Sequence, residues 1–179
     1  MEFFEVLHSR RSIRKYENRM VEDDKLLKIL DAVRLAPSAR NRQPWHFIII
    51  TDPQVKRQVY EATKDQKSVL EAPVIIAAVG HPSDYVCSNG NIAHLVDLGI
   101  AGEHIALSAA ALELGTCWIA AFFQDKMREA LNVPDDAHIV ALFTLGYPAE
   151  KPQPKERKPL SQIVHKDRWG APAPEWAKE

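Results

Sequence analysis

Apolar residues recur with a helical period early in the chain and as continuous runs further on. Over residues 23–35, Leu26, Leu30 and Val33 fall on one helical face with Leu27 beside it. Asp23 and Asp24 complement the positive end of that helix, and Pro37 stops it. Residues 2–8 read as a short helix and 55–63 as an exposed amphipathic one. Two runs bounded by proline or glycine, 45–50 (WHFIII) and 74–79 (VIIAAV), read as strands. The second has no polar position on either side, which predicts a strand covered on both faces. Further strands are predicted at 116–119 and 139–145, with a helix at 124–131 between them. Helices alternating with strands indicate an α/β or α+β sandwich.

Residues 95–114 break the amphipathic pattern. Leu, Ile, Ala and Gly occupy nearly every face, interrupted only by Asp97, Glu103, His104 and Glu113. A helix apolar nearly all round has to be buried nearly all round. At about 30 Å long, it exceeds what a domain of this size readily surrounds, and a second copy of the chain is the favoured cover. Intrachain packing on Gly99, Ala101, Gly102 and Ala106 is the alternative. After Tyr147 the composition turns to proline and charge, so the chain is expected to run extended. Leu160, Ile163, Val164, Trp169 and Trp176 give this stretch apolar anchors, which favours an arm lying on the body or on a partner over a disordered tail.

Composition narrows the functional classes. The 179 residues fit one domain, 1–179, and the net charge of −1 lacks the basic excess of a nucleic-acid or membrane-surface binder. No run reaches the roughly 18 apolar residues of a membrane span. The start MEFFEVLHSR carries acid and no export signal. Cys87 and Cys117 show no metal-binding spacing and read as reduced thiols of a cytoplasmic protein, with one disulfide as the minor alternative. There is no GxSxG, HExxH, GxxxxGK[ST] or GxGxxG. His94 and Asp97 share a helical face at i,i+3, but no third ligand stands at suitable spacing, so no metal site is expected.

The remaining chemistry is cationic. Arg10-Arg11-Ser12-Ile13-Arg14 puts three guanidinium groups and a hydroxyl into five residues, a donor set suited to a phosphate. Taken alone, the run equally suits a solvated basic patch opposing the dipole at a helix end. Asn41 and Gln43 sit in a polar loop, where their amides could meet the donor and acceptor edge of a heterocycle or cap the loop itself.

Four ordered segments decide between these readings: RRSIRKY at 10–16, APSARNRQPWHFI at 36–48, LGTCWIAAF at 114–122, and GYP with ERKPL within 146–160. Together they resemble the nitroreductase-like flavoprotein family, FMN-dependent oxidoreductases, across essentially the whole chain. The resemblance implies an α+β fold: a three-layer α/β/α sandwich with a mixed, mainly antiparallel sheet, a long central helix, and an intertwined homodimer with a C-terminal arm from about residue 148. It implies tightly bound FMN at the subunit interface. Arg10, Arg11, Ser12 and Arg14, joined by Arg157, would hold the phosphate and ribityl chain. Pro37, Ser38 and Ala39 of the partner subunit would cover the flavin, with Asn41 and Gln43 at the pyrimidine edge. The backbone of Ala120 and Ala121 would approach N5. Many relatives carry glycine or an acidic residue at those two positions, so the alanines depart from the pattern. Trp118 and Phe122 are expected in the core.

The activity so implied is alternating hydride transfer from NADH or NADPH to flavin N5, then to an electron-poor small molecule such as a nitroaromatic or quinone. The cofactor supplies the reactive atom, so no side chain is assigned as catalytic. Arg11 or Lys15 is a candidate to face the N1–C2 edge. Two rivals keep the cofactor: a reductive dehalogenase-like or flavin-processing enzyme, with residues 64–68 or 81–94 as its lid, and an FMN-binding or storage protein without turnover.

Overall fold

The computed structural model describes residues 2–81 and 85–178; Met1, Pro82 to Asp84 and Glu179 lie outside the described residues. Helix α1 (Phe3–Ser9) is tied at its start by the Glu5 carboxylate, which accepts from the Glu2 amide at 3.1 Å. Helix α2 (Asp23–Arg34) leads through a short loop to strand β1 (Trp45–Ile50). Helix α3 (Pro53–Ala62) begins at Asp52, one oxygen of which accepts from both Gln54 N and Val55 N at 2.9 Å. Pro53 occupies the first helical position, where no N–H is needed. Single-turn α4 (Ser68–Glu71) precedes β2 (Val74–Gly80). Long α5 (Ala93–Ala111), β3 (Gly115–Ile119), α6 (Gln124–Leu131) and β4 (His138–Gly146) complete the elements.

The strands form one sheet in the order β1-β2-β4-β3, antiparallel throughout. A single parallel bridge, Ser12 to Thr116, adds the N-terminal segment at the β3 edge. Side chains alternate across β2: Val74, Ile76 and Ala78 pack with α2 and α5, while Ile75, Ala77 and Val79 pack with α3 and α6. That division makes the molecule a three-layer α/β/α sandwich of the α+β class. It also explains why the VIIAAV run carries no polar position.

Three expectations shift. The buried face of α2 centres on Ile29 and Val33, with Leu26 and Leu30 only partly covered and Leu27 exposed. Helix α5 runs from 93 to 111 instead of 95–114, because Glu113 takes a left-handed φ of 64° and Leu114 N turns back to Ala109 O at 2.9 Å. This reversal closes the helix without the glycine that usually marks such an end. The chain itself also covers more of α5 than expected: Leu98, Ala101, Ile105 and Ala109 are fully buried. An apolar strip of Val96 and Ile100 stays 47% and 36% exposed.

After β4 the chain runs extended, interrupted by 3-10 turns at Leu160–Gln162 and Glu175–Ala177. Its apolar anchors are largely uncovered within one chain: Trp169 is 94% exposed and Trp176 74%. Residues 64–68 form a tight turn closed by bonds from Lys67 N to Asp65 O and from Gln66 N to Thr63 Oγ1, too short for a lid. Of the second lid candidate, 86–92 folds into a narrow turn with Cys87 N bonded to Asn91 O, and 82–84 lies outside the described residues. No helix among the described residues is long and apolar enough to cross a membrane.

Candidate functional site

The basic segment is fixed to the sheet by its backbone, which leaves most of its cations facing outward. Ile13 N donates to Thr116 O at 2.8 Å, and the buried Ile13 side chain lies against Gly115, where a Cβ would sit 2.5 Å from it. Beneath it a buried chain of hydrogen bonds continues: Cys117 N to Thr144 Oγ1 at 3.1 Å, Thr144 to Tyr16 at 2.6 Å, and the Tyr16 hydroxyl to Ile13 O at 2.6 Å. Burial pushes the Tyr16 phenol well above its ordinary range and raises the Cys117 thiol, so both stay protonated structural groups. Cys87 and Cys117 are not joined.

The arginines divide between the two roles open to them. Arg11 turns back on α1, its Nη1 donating to His8 O and Arg10 O at 2.7 Å, and so acts as a helix-end cation. That engages its Nη1 alone and leaves Nε and Nη2 without a hydrogen-bond partner among the described residues. Arg10 and Arg14 pair with no carboxylate side chain among the described residues. Glu150 instead accepts from the backbone amides of Arg14, at 2.7 Å, and Lys15, at 3.2 Å. Beside this segment opens a groove of about 920 Å³, lined by Arg10, Arg11, Ile13, Thr116, Ala110 on α5 and residues 148–154. Its size falls within the roughly 300–1,000 Å³ of small-molecule sites. Arg157 lies exposed three residues beyond the last groove residue, Pro154.

Just past the end of β3, Ala120 and Ala121 stand about 13 and 17 Å from Thr116 at an extended rise of about 3.3 Å per residue. Both are exposed, and Ala121 O accepts from Lys64 N at 3.0 Å. Their own N–H groups make no backbone hydrogen bond among the described residues, which leaves two donors for a ligand. An elongated molecule with a phosphate at one end and a ring with acceptor atoms at the other fits this spacing and donor set. Phe122 packs partly buried against the core as expected. Trp118 does not: it is 43% exposed, with one edge on Phe143 at a centroid distance of 4.9 Å.

The second predicted segment is elsewhere. Pro37, Asn41 and Gln43 are exposed, and Ser38 and Ala39 partly buried. Arg40, Asn41 and Gln43 take left-handed φ values of 54°, 55° and 50°, costing about 1 kcal/mol or more apiece. Ser38 Oγ accepts from Gln43 N at 3.0 Å, and Asp97 Oδ1 accepts from Ala39 N at 2.9 Å. Arg40 and Arg42 lie over the Tyr85 ring at 5.0 and 4.6 Å. Gln43 Nε2 reaches back to Asn41 O at 3.3 Å, the loop-capping role. Asp97 and Tyr85 were missed as parts of this loop. A carboxylate on a largely apolar face of the helix was the signal for Asp97; nothing in the sequence tied Tyr85 to the loop.

A single chain does not bring the two segments together. The loop at 37–43 meets α5 near Asp97, whereas the groove meets it at Ala106 and Ala110, about 14–20 Å further along at 1.5 Å per residue. They also flank opposite edge strands of the sheet. Among the described residues, no three His, Cys, Asp or Glu side chains are placed to hold a metal.

Comparison with known proteins places this architecture. The Nitroreductase family profile matches residues 7–81 and 61–147. The chain is 31% identical over 189 residues to the NADH dehydrogenase of Thermus thermophilus, covering 87% of this chain and 91% of that one. It is 28% identical over 185 residues to the FMN reductase [NAD(P)H] of Bacillus subtilis, covering 94% of this chain and 74% of the other. A crystal structure of a nitroreductase family protein from Clostridium novyi NT superposes with a TM-score of 0.81 at 38% identity, covering 96% and 97% of the two chains.

Proposed function

Because the chain belongs to the nitroreductase family, we propose that it is an FMN-dependent NAD(P)H oxidoreductase that reduces electron-poor small molecules such as nitroaromatics or quinones. The observation that carries the assignment of the site is the alignment along β3. Arg10 lines the groove at one end, with Arg14 in the same segment bridged to Thr116, and the free amides of Ala120 and Ala121 lie about 13–17 Å from Thr116 at the other. When bound, FMN supplies the atom that takes up and gives back hydride.

The protein's own residues hold, orient and shield. Arg10, Ser12 and Arg14, with Arg157 from the arm, offer charge-assisted donors that offset the lost hydration of a phosphate. Arg11, which also lines the groove, adds its charge and its Nε and Nη2 donors, while its Nη1 is bonded to the His8 and Arg10 carbonyls. The amides of Ala120 and Ala121 face the ring. Pro37, Ser38 and Ala39, followed by Asn41 and Gln43, cover the ring bound to the other subunit, a division that the separation of loop and groove along α5 within one chain supports. The protein then acts as a homodimer with its two flavin sites at the interface. Residues 1–179 form one domain, and the arm from about residue 148 lies on the second subunit with Trp169 and Trp176 as anchors. Two free thiols support a cytoplasmic setting.

The test is the absorption spectrum of the purified protein, taken under nitrogen before and after each nicotinamide cofactor. A bound-flavin spectrum that bleaches within seconds with NADH or NADPH is expected. Bound flavin that neither cofactor bleaches would leave only an FMN-binding protein, and a protein that takes up no FMN would overturn the proposal.

A further inference from the structure

Helix α5 buries two ionisable side chains that the proposed chemistry does not use. His94 and Asp97, on adjacent turns of the same face, are 5% and 3% exposed. His94 contacts His138, with 3.4 Å between ring nitrogens, and Gly80 leaves it room, since a Cβ there would lie 2.8 Å from the His94 ring. Asp97 turns the other way. A carboxylate buried among Ala, Leu and Ile needs a donor, and its Oδ1 takes the Ala39 N–H at 2.9 Å. Its Oδ2 is buried without a hydrogen-bond partner. A helix that gives up one of its few buried carboxylate bonds to a loop fifty-eight residues away does so for that loop's conformation.

The loop depends on it. Among the described residues, every other hydrogen bond made by 38–43 stays within the loop: Asn41 N to Ser38 O, Arg42 N to Ala39 O, Gln43 N to Ser38 Oγ, and Gln43 Nε2 to Asn41 O. These bonds shape the loop but do not fix it to the body; apart from the stacking of Arg40 and Arg42 on Tyr85, the Asp97 bond is what does. Left-handed backbone at Arg40, Asn41 and Gln43 is a conformation that non-glycine residues keep only when surrounding contacts impose it.

We infer that Asp97 is a positioning residue for flavin binding: its buried carboxylate anchors Ala39 N–H to α5 and so holds residues 38–43 in the shape that meets the ring. The inference rests on the reading of 37–43 as a flavin-facing segment. Asp97 itself touches neither cofactor nor substrate. It acts through the loop, and its loss changes how the ring is held more than whether the chain folds.

Three variants of the purified protein test it: Asp97→Ala, Asp97→Asn and Ala39→Pro. Asp97→Asn keeps an acceptor oxygen for Ala39. Ala39→Pro removes the donor from the other side without touching α5; Ser38, at φ −140° and ψ 158°, already has the extended backbone required before proline. Hydrogen exchange of 38–43 on flavin-free protein reads the anchor, while FMN titration and the visible circular dichroism of bound flavin read its consequence. Faster exchange, an FMN Kd raised about tenfold or more and an altered flavin band are expected for Asp97→Ala and Ala39→Pro, with Asp97→Asn close to wild type. Should Asp97→Ala fail to fold, Ala39→Pro carries the test alone. Unchanged exchange overturns the inference. Faster exchange with an unchanged Kd and band also overturns it, leaving the flavin reading intact. Wild-type protein that binds no FMN overturns that reading and the inference with it.

Discussion

Glu150 Oε1 lies 2.7 Å from the backbone nitrogen of Arg14 and joins the first residues of the C-terminal arm to the basic segment across 136 positions of sequence. The same oxygen accepts from Lys15 N at 3.2 Å, and Ala149 N donates to Lys15 O at 3.0 Å, so arm and segment are bonded in both directions. An acidic side chain is thereby engaged with amides beside the arginines without pairing with their guanidinium groups.

Glu150→Ala removes that acceptor from two amides. The site is partly open to water, so the expected loss is about 1 kcal/mol, toward the low end for bonds to a charged group. Urea denaturation monitored by circular dichroism measures it. Glu150→Gln, which keeps an oxygen in place, is expected to lose less than half as much. Equal losses would mean that the charge, and not the hydrogen-bond geometry, holds the segment.

Arg14→Ala removes an exposed guanidinium and leaves the backbone bonds of the segment in place. The variant is expected to fold with unchanged urea midpoint while purifying largely free of FMN, because a phosphate loses a charge-assisted contact. Flavin content per protein, read from absorbance, decides the matter. Full occupancy would remove Arg14 from the site.

Gly102 lies on the face of α5 turned to the sheet. A Cβ there would stand 2.5 Å from the Trp118 ring and 2.6 Å from the fully buried Phe143. Alanine favours a helix over glycine by about 1 kcal/mol. Displacing two packed rings costs more, so Gly102→Ala is expected to destabilise by about 1–2 kcal/mol net. A rise in the urea midpoint would show that Trp118, with its exposed edge, yields freely.

Much of this architecture could be read from residue patterns, because alternation and periodicity record which faces are buried. The VIIAAV run marked a strand covered on both sides, and the amphipathic stretch at 55–63 marked α3, which begins two residues earlier at Pro53. What the pattern did not hold were features set by the meeting of distant segments. Glu113 ends α5 in a conformation that local sequence disfavours, and Trp118 was placed in the core because a large aromatic beside Cys117 and Ile119 gives no sign of its exposed edge. Cationic type and spacing singled out the segment 10–14, whose Arg10 and Arg11 line the groove. That Arg11 bonds back to the α1 carbonyls, and that Asp97 anchors Ala39, depends on three-dimensional proximity.

Stability should fall on the acid side of neutrality through His94 and His138. Burial lowers the pKa of each below the ordinary 6.5; each lies near the other, and Arg128 adds to the lowering at His138, whereas Asp97 opposes it at His94. The folded state therefore binds fewer protons than the unfolded chain once the pH drops through about 6.5, and stability declines below that value. Melting temperatures across this range are expected to slope downward for the wild type and to flatten for His94→Gln. The same slope in both would assign the effect to other groups.

Ile100 tests the assembly. It sits with Val96 on the strip of α5 that the chain leaves uncovered, 36% and 47% exposed, while Trp169 and Trp176 of the arm project outward. Apolar surface distributed this way is stabilised by association, and a carboxylate placed within it would be costly to bury. Wild-type protein is expected to scatter light at twice the 20.2 kDa of one chain. Ile100→Glu is expected to shift it toward the single-chain mass. The loop that contacts α5 at Asp97 and the groove at Ala106 and Ala110 are about 14–20 Å apart along that helix within a chain, so separation of the subunits should also empty the flavin site. A dissociated variant that retains its FMN would place the whole site within one chain, and a wild-type particle of single-chain mass would remove the two-subunit site altogether.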